Sequence, residues 1–128
     1  MFKENPQNFI NNSSIGIHAV SSDGIVIYAN QCELETLGFE ENEYIGHHVS
    51  EFQADKECLN EMMEKLGNFE DLKNYPAKVH AKAGLKYIIY NSSVFEENGE
   101  FVHTRCYGSE VPKPVYDAFY EAYSKAAG

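Results

Sequence analysis

The chain has 128 residues, 43% of them hydrophobic, and a formal net charge of −10. That suits one globular domain with a single core. An acidic surface repels phosphate backbones and anionic lipid, so nucleic acid and membrane surfaces are set aside as partners. The longest apolar run, "IVIYA", is far shorter than a membrane span.

The first ten residues, MFKENPQNFI, lack the apolar stretch of a secretory signal. Cys32, Cys58 and Cys106 are odd in number and irregularly spaced, which fits free thiols in a reducing cytoplasm better than disulfides. No CxxC pair occurs, so no structural zinc motif is present.

Residues 5–12 are predicted to form a short helix with Phe9 and Ile10 as its buried side. "IGIHAVS" reads as a strand, Ser22-Asp23-Gly24 as a tight turn, and "IVIYAN" as a second, β-branched strand. Asn30 ends that strand and is placed to cap a helix in which Cys32, Leu34 and Leu37 carry the apolar bulk; Gly38 closes it. "ENEYIG" and "HHVSEF" read as helical turns separated by Gly46. Asp55 to Leu66 has Cys58, Leu59, Met62, Met63 and Leu66 at helical spacing, with Gly67 as its stop. "AKVHAKAG" alternates apolar and polar residues, Gly84 marks a turn, and "LKYIIYNSSVF" follows as a long strand. Asn98-Gly99 is a hairpin signal before "EFVHTRCYG". From Pro112 a last helix carries Val115, Tyr116, Phe119, Tyr120 and Tyr123 along one stripe. The order implies an α+β fold: a five-stranded antiparallel sheet, several short helices on one face, and a helix at each terminus.

This order, with "DGIVIYANQCELETLGFEENEYIGHHVSEF" at its centre, resembles the PAS domain family. The shared features are Asp23-Gly24, the apolar strand closing on Asn30, Gly38-Phe39, the acidic turn Glu41 to Glu43, and Ile45-Gly46. The later strands are similar to those of PAS domains in bacterial sensor kinases. The resemblance covers residues 8–109, with the last helix at about 112–126, all within a single domain. It implies a cytoplasmic sensory module that binds a small molecule between sheet and helices and relays a conformational change to a signalling partner, as in a two-component system. A ligand-free module for dimerisation or protein interaction is the first alternative, and a haem-binding redox or gas sensor the second. The family commonly ends its last strand in an aspartate-hydrophobic-threonine motif before a signalling helix. Here Gly108-Ser109-Glu110-Val111-Pro112 stands instead, and Pro112 with Pro114 breaks a continuous helix. A stand-alone protein and a sensor with a different output both remain open.

Flavin photosensors of this family place a reactive cysteine soon after the central glycine, and "GHHVSEFQ" has none, so light-driven thiol chemistry is not expected. Haem-binding members supply a histidine from the long helix, and residues 55–66 contain none. That leaves His47 and His48 as weak haem or metal candidates, and no cofactor as the expectation.

Strand parity suggests the cavity wall. With Ala77, Val79 and Ala81 facing the helices, family-like pairing turns Tyr87, Ile89, Asn91 and Ser93 inward, with Val102, Thr104 and Cys106 beside them. The ligand-site candidates are therefore Asn30, Leu34, Met62, Tyr87, Ile89, Asn91, Thr104 and Cys106. The outer face then shows Ile88, Tyr90, Phe101, His103, Arg105 and Tyr107. Tyr90, Tyr107, Tyr116, Phe119, Tyr120 and Tyr123 are candidates for a homodimer interface, against the rival arrangement in which the last helix folds back on its own sheet. No nucleophile motif, phosphate loop or paired-carboxylate motif points to an enzyme.

Overall fold

The computed structural model describes residues 1–127. Its elements are α1 (Pro6–Asn11), β1 (Gly16–Val20), β2 (Val26–Ala29), α2 (Gln31–Leu37), α3 (Glu41–Tyr44), a 3₁₀ turn at Val49–Glu51, α4 (Lys56–Gly67), β3 (Leu72–Ala81), β4 (Gly84–Glu97), β5 (Glu100–Val111) and α5 (Lys113–Ala127). All five strands pair antiparallel in the order β2-β1-β5-β4-β3, which is the expected α+β architecture.

The segment between β2 and β3 folds over one face and bonds to part of each edge strand of the sheet. Val26 N–H donates to His47 O and Gly46 N–H to Val26 O along β2. Ala54 N–H donates to Lys78 O and His80 N–H to Phe52 O along β3. Part of each edge strand is thereby paired and withheld from another strand. Between sheet and helices lies the core, in which Val26, Leu37, Tyr44, Phe52, Leu66, Val79 and Ile88 are buried.

Asn30 is the pivot of the fold. It is fully buried, and its side chain uses its whole hydrogen-bonding capacity. Oδ1 accepts from Ile17 N–H at 2.9 Å and from Glu33 N–H at 3.0 Å. Nδ2 donates to Ile10 O at 2.9 Å and to Ile15 O at 3.0 Å. One side chain thus caps α2, pins the start of β1 and ties down the end of α1. Gly38, with φ of 80°, closes α2 in the left-handed conformation.

Three sequence expectations change. First, Phe9 and Ile10 are exposed and α1 buries no residue; six residues tethered mainly through Ile10 O are too short to reach the core. Second, the parity of β4 is reversed. The β3–β4 loop is the two-residue pair Lys82-Ala83, so Ala77 pairs with Ile88 and Tyr75 with Tyr90. Register shifted by one residue flips every side chain. Ile88, Tyr90 and Ser92 therefore face the helices, whereas Tyr87, Ile89 and Asn91 share the other face. Third, β5 carries a bulge at Val102, where Phe95 and Glu96 oppose His103 and Phe101. The extra residue turns Phe101 inward.

α5 folds back on its own sheet. Tyr116 packs on Tyr87, with Lys78 Nζ 5.7 Å from its ring, and Tyr123 meets Tyr75 at 4.9 Å while donating a hydrogen bond to Glu61 of α4. Pro112 accepts the first bonds of this helix, from Val115 and Tyr116 N–H. The proline step thus reverses the chain rather than extending it.

Candidate functional site

A cavity of about 260 Å³ lies between the sheet and α4. Its sheet wall is His18 and Val20 of β1, Tyr90 and Ser92 of β4, and Thr104 and Cys106 of β5. Opposite stand Leu59, Met62, Met63 and Leu66, whose spacing puts them on one face of α4. Ser22, Met63 and Gly67 line it and are also exposed, so it opens between the β1–β2 turn and the end of α4, with Phe101 at the rim. One wall is thus polar and the other apolar, a common form for a small-molecule site.

The polar wall is an ionisable cluster sealed from solvent. His18 Nδ1 lies 2.9 Å from Glu33 Oε2, and the Tyr44 hydroxyl donates to the same oxygen at 2.6 Å. The His18–Glu33 contact is close but poorly aligned for a hydrogen bond, so charge holds it more than direction. The rings of Tyr44 and Tyr90 meet His18 edge-on, with centroids 6.1 and 5.7 Å away. Thr104 Oγ1 accepts from Val20 N–H at 2.9 Å and from the Cys106 thiol at 3.2 Å.

Burial alone would discharge His18, yet the negative charge of Cys106 and Glu33 beside it holds the ring well above the usual imidazole range. Burial likewise opposes the Glu33 carboxylate, but the His18 charge beside it and the hydrogen bond from Tyr44 bring it below its usual value. Cys106 follows the same pattern: burial raises the thiol, and the His18 charge, with the polar side chains of His18, Ser92 and Thr104 around the sulfur, lowers it on balance. Burial, then the Glu33 charge, push the Tyr44 and Tyr90 phenols far upward, so both stay protonated. A charged imidazole is therefore held beside the Glu33 carboxylate and the Cys106 sulfur at the cavity wall.

Gly16 makes room for this arrangement. A Cβ there would lie 2.6 Å from Glu33 Oε1 and 3.2 Å from Gly108 O. Glycine at this point lets the carboxylate lie flat against β1.

Of the ligand-site candidates read from sequence, Met62, Thr104 and Cys106 line this cavity. Asn30 is structural, and Leu34 packs half-buried at the edge of the core. Tyr87 is covered by Tyr116. Ile89 is buried on the opposite face of the sheet, and Asn91 is exposed, accepting from Asn74 N–H beside the β3 bulge. Tyr90, expected on the outer face, belongs to the cavity. Among the interface candidates, Tyr116 and Tyr123 are engaged within the chain, Phe119 is half-buried, and Tyr107 and Tyr120 are exposed.

His47 and His48 serve local structure. His47 bonds to Glu51 and Asn42 O, and His48 Nδ1 accepts from Ser50 N–H while its ring rests on Gly24. Among the described residues, no three His, Cys, Asp or Glu side chains gather where a metal ion would sit. No helix among them is long and apolar enough to cross a membrane.

Sequence reasoning missed His18, Glu33, Tyr44 and Ser92. His18 had a readable signal, as the one imidazole on the face of β1 shared with Val20. Glu33 had none, because a glutamate three residues after an N-cap asparagine reads as ordinary capping chemistry.

Among curated proteins, none matches the sequence. Solved structures do. The PAS domain of an HTR-like protein from Haloarcula marismortui is 19% identical, covering 82% of this chain and 88% of that one, with a TM-score of 0.70. A light-oxygen-voltage domain studied with a flavin analogue is 15% identical over 93% of each chain, with a TM-score of 0.78. A PAS domain from a two-component sensor histidine kinase is 11% identical over 81% of this chain and 91% of its own, with a TM-score of 0.68. These likenesses show the fold. The family model for the PAS domain matches residues 12–122, nearly the whole chain. The chain belongs to the PAS domain family.

Proposed function

We propose that this domain is a sensory module that binds a small molecule in the cavity between sheet and α4 and relays its occupancy to a signalling partner in the bacterial cytoplasm. The observation that carries this reading is the cavity itself, apolar on the helix side and polar on the sheet side. A packed core leaves few voids larger than a water molecule. An engineered cavity of about 150 Å³ takes up benzene. A space of about 260 Å³ is therefore ample for a small ligand and too small for a haem. That volume supports the small-molecule reading over a haem-sensing one, and so does the engagement of His47 and His48 in local bonds. Cys58 on α4 is not part of the lining, and Cys106 lies on β5, away from the segment that follows Gly46.

The route out of the cavity is read from contacts. α4 forms the apolar wall, and α5 is fastened to α4 through Tyr123 and Glu61 and to the sheet through Tyr116. A shift of α4 on binding would be felt by α5. Of the interface candidates, Tyr107, at 39% exposure, and Tyr120, at 48%, are the ones left on the surface for a partner, and a second copy of this chain is the proposed one.

Methionine-methyl NMR tests the cavity. The chain has three methionines, of which Met62 and Met63 line the cavity and Met1 is fully exposed. In a screen of small apolar compounds, binders should shift the Met62 and Met63 methyl signals saturably and leave Met1 unmoved. A screen in which no compound moves those two signals would count against the reading.

A further inference from the structure

A row of three side chains crosses the sheet at the cavity wall. His18 of β1 and Ser92 of β4 both stand opposite Cys106 of β5, so the thiol sits between an imidazole and a hydroxyl on one face. Side chains opposed in this way have Cβ atoms about 5 Å apart, close enough to meet. Thr104, two residues along β5 on the same face, brings its Oγ1 to 3.2 Å from the sulfur. All four residues line the cavity. Behind His18, outside the lining, stands Glu33, with Oε2 2.9 Å from Nδ1. Thiol, imidazole and carboxylate thus stand in series: a nucleophile, a base to take its proton, and a third group that holds the base. Burial alone makes a cysteine inert, but here the His18 charge and the polar side chains around the sulfur outweigh it. The other two thiols lack this setting. Cys32 lies beside Thr36, the Cys58 thiol is pushed up by burial, and neither lines the cavity.

We propose that Cys106 captures a small, mostly apolar molecule carrying an α,β-unsaturated carbonyl group, an enone or enal, that has entered the cavity. This rests on the reading of the cavity as a ligand site. His18 takes the thiol proton. A sulfur electron pair then forms the bond to the β-carbon, the carbon–carbon π pair shifts toward the carbonyl, and the imidazolium gives its proton to the α-carbon. The sum is addition of S–H across one double bond, with no oxidant, reductant or leaving group. The same groups run the steps backwards, so the molecule can leave intact. The apolar wall of α4 suits such an organic electrophile better than a peroxide, which is small and polar. Its size follows by proportion. Six ring atoms fill an engineered cavity of about 150 Å³, so a space of about 260 Å³ suits a body of about ten heavy atoms.

The test is a competition among the three cysteines of the whole folded chain. Cyclohexenone is added in limiting amount near pH 7, adducts are fixed with borohydride, and the labelled cysteines are identified by peptide mass spectrometry while methionine-methyl NMR follows the cavity. Cys106 is buried and Cys32 and Cys58 are partly exposed, so a thiol reached only through unfolding would lag behind them. Cys106 should instead be labelled about tenfold faster than either, because the thiolate is the nucleophile. In His18→Gln that preference should be lost. Should His18→Gln fail to fold, the wild-type competition still decides. Labelling of Cys106 no faster than that of Cys32 and Cys58, with the Met62 and Met63 signals moved, overturns the capture and leaves the cavity as a ligand site. A folded His18→Gln that labels Cys106 at the wild-type rate overturns the assignment to this pair. No labelling of Cys106 and no movement of Met62 and Met63 overturns the capture and counts against the cavity as a ligand site.

Discussion

Replacing Asn30 examines the fold where it is most concentrated. In Asn30→Ala the Ile17 and Glu33 N–H groups lose their acceptor, and the Ile10 and Ile15 carbonyls lose a donor. A lost N-cap alone costs about 1 kcal/mol. Here two buried N–H groups are orphaned at about 1–1.5 kcal/mol each, and two carbonyl bonds go at about 0.5 kcal/mol each, because Ile10 O keeps a second donor in Ser13 N–H. The sum is about 3–4 kcal/mol. With a urea slope of about 2 kcal/mol/M, the unfolding midpoint should fall by about 1.5–2 M. Far-ultraviolet circular dichroism and tyrosine fluorescence should report one common transition. Asn30→Asp separates the two halves of the side chain. It keeps both acceptor bonds but aims a carboxylate oxygen at two carbonyls, so it should lose about 2 kcal/mol near pH 7 and recover part of this in acid, where a protonated acid donates again. A loss near 1 kcal/mol for Asn30→Ala, with Asn30→Asp equal to wild type, would refute the four-bond account and leave only a helix cap.

The remaining expectations concern the charged wall and the surface. His18 is raised, so its contribution is complete below an unfolded imidazole pKa of about 6.5 and fades as pH climbs through the folded value; Glu33 is lowered, so its contribution is complete above about 4.3 and fades as pH falls through the folded value. Urea midpoints for wild type should therefore be flat between these limits and decline on both sides, with Cys106, Tyr44 and Tyr90 as the other titratable groups facing the pair. Glu33→Gln should lower stability by about 2 kcal/mol at pH 7, less than for a buried lysine partner because imidazole can shed its proton, and should lessen the alkaline decline, the Cys106 charge remaining beside His18. An unchanged profile in that variant would remove the ion pair from the account. Gly16→Ala should cost about 1–3 kcal/mol by forcing its methyl group against Glu33 Oε1; a thermal midpoint equal to wild type would show that the carboxylate has room to move. Sedimentation should show a dimer that Tyr107→Glu with Tyr120→Glu converts to a folded monomer, and wild-type protein that stays monomeric at high concentration ends that proposal.

Most elements were legible because their signals are local. Asn30, Gly38, Asp23-Gly24 and Asn98-Gly99 each fix the backbone within a few residues, and the observed φ values of 54° and 80° at the last pair are what that hairpin turn requires. The site was less legible because it depends on register. Reading the β3–β4 loop one residue differently exchanged Ile88, Tyr90 and Ser92 for Tyr87, Ile89 and Asn91. The bulge at Val102 then turned Phe101 inward, against simple alternation. The His18–Glu33–Tyr44 cluster joins a strand and two helices, and no spacing along the chain announces it. The path of α5 was a choice between two arrangements that the sequence left open, and the contacts of Tyr116 and Tyr123 place it on its own sheet.

The central claim is that the cavity holds a small molecule, and its most direct measurement compares what purified protein carries. Wild type and a cavity-filling Ser92→Leu variant, both confirmed folded by circular dichroism, would be prepared identically from the same host, denatured, and their released small molecules compared by mass spectrometry. Ser92 is on the cavity wall beside Cys106, so a leucine there occupies the space without disturbing the outer face. The expected result is one compound of about ten heavy atoms, released near stoichiometrically by wild type and absent from the variant, in keeping with a cavity of about 260 Å³. Release of the same compounds by both proteins, or of none by either, would contradict the claim.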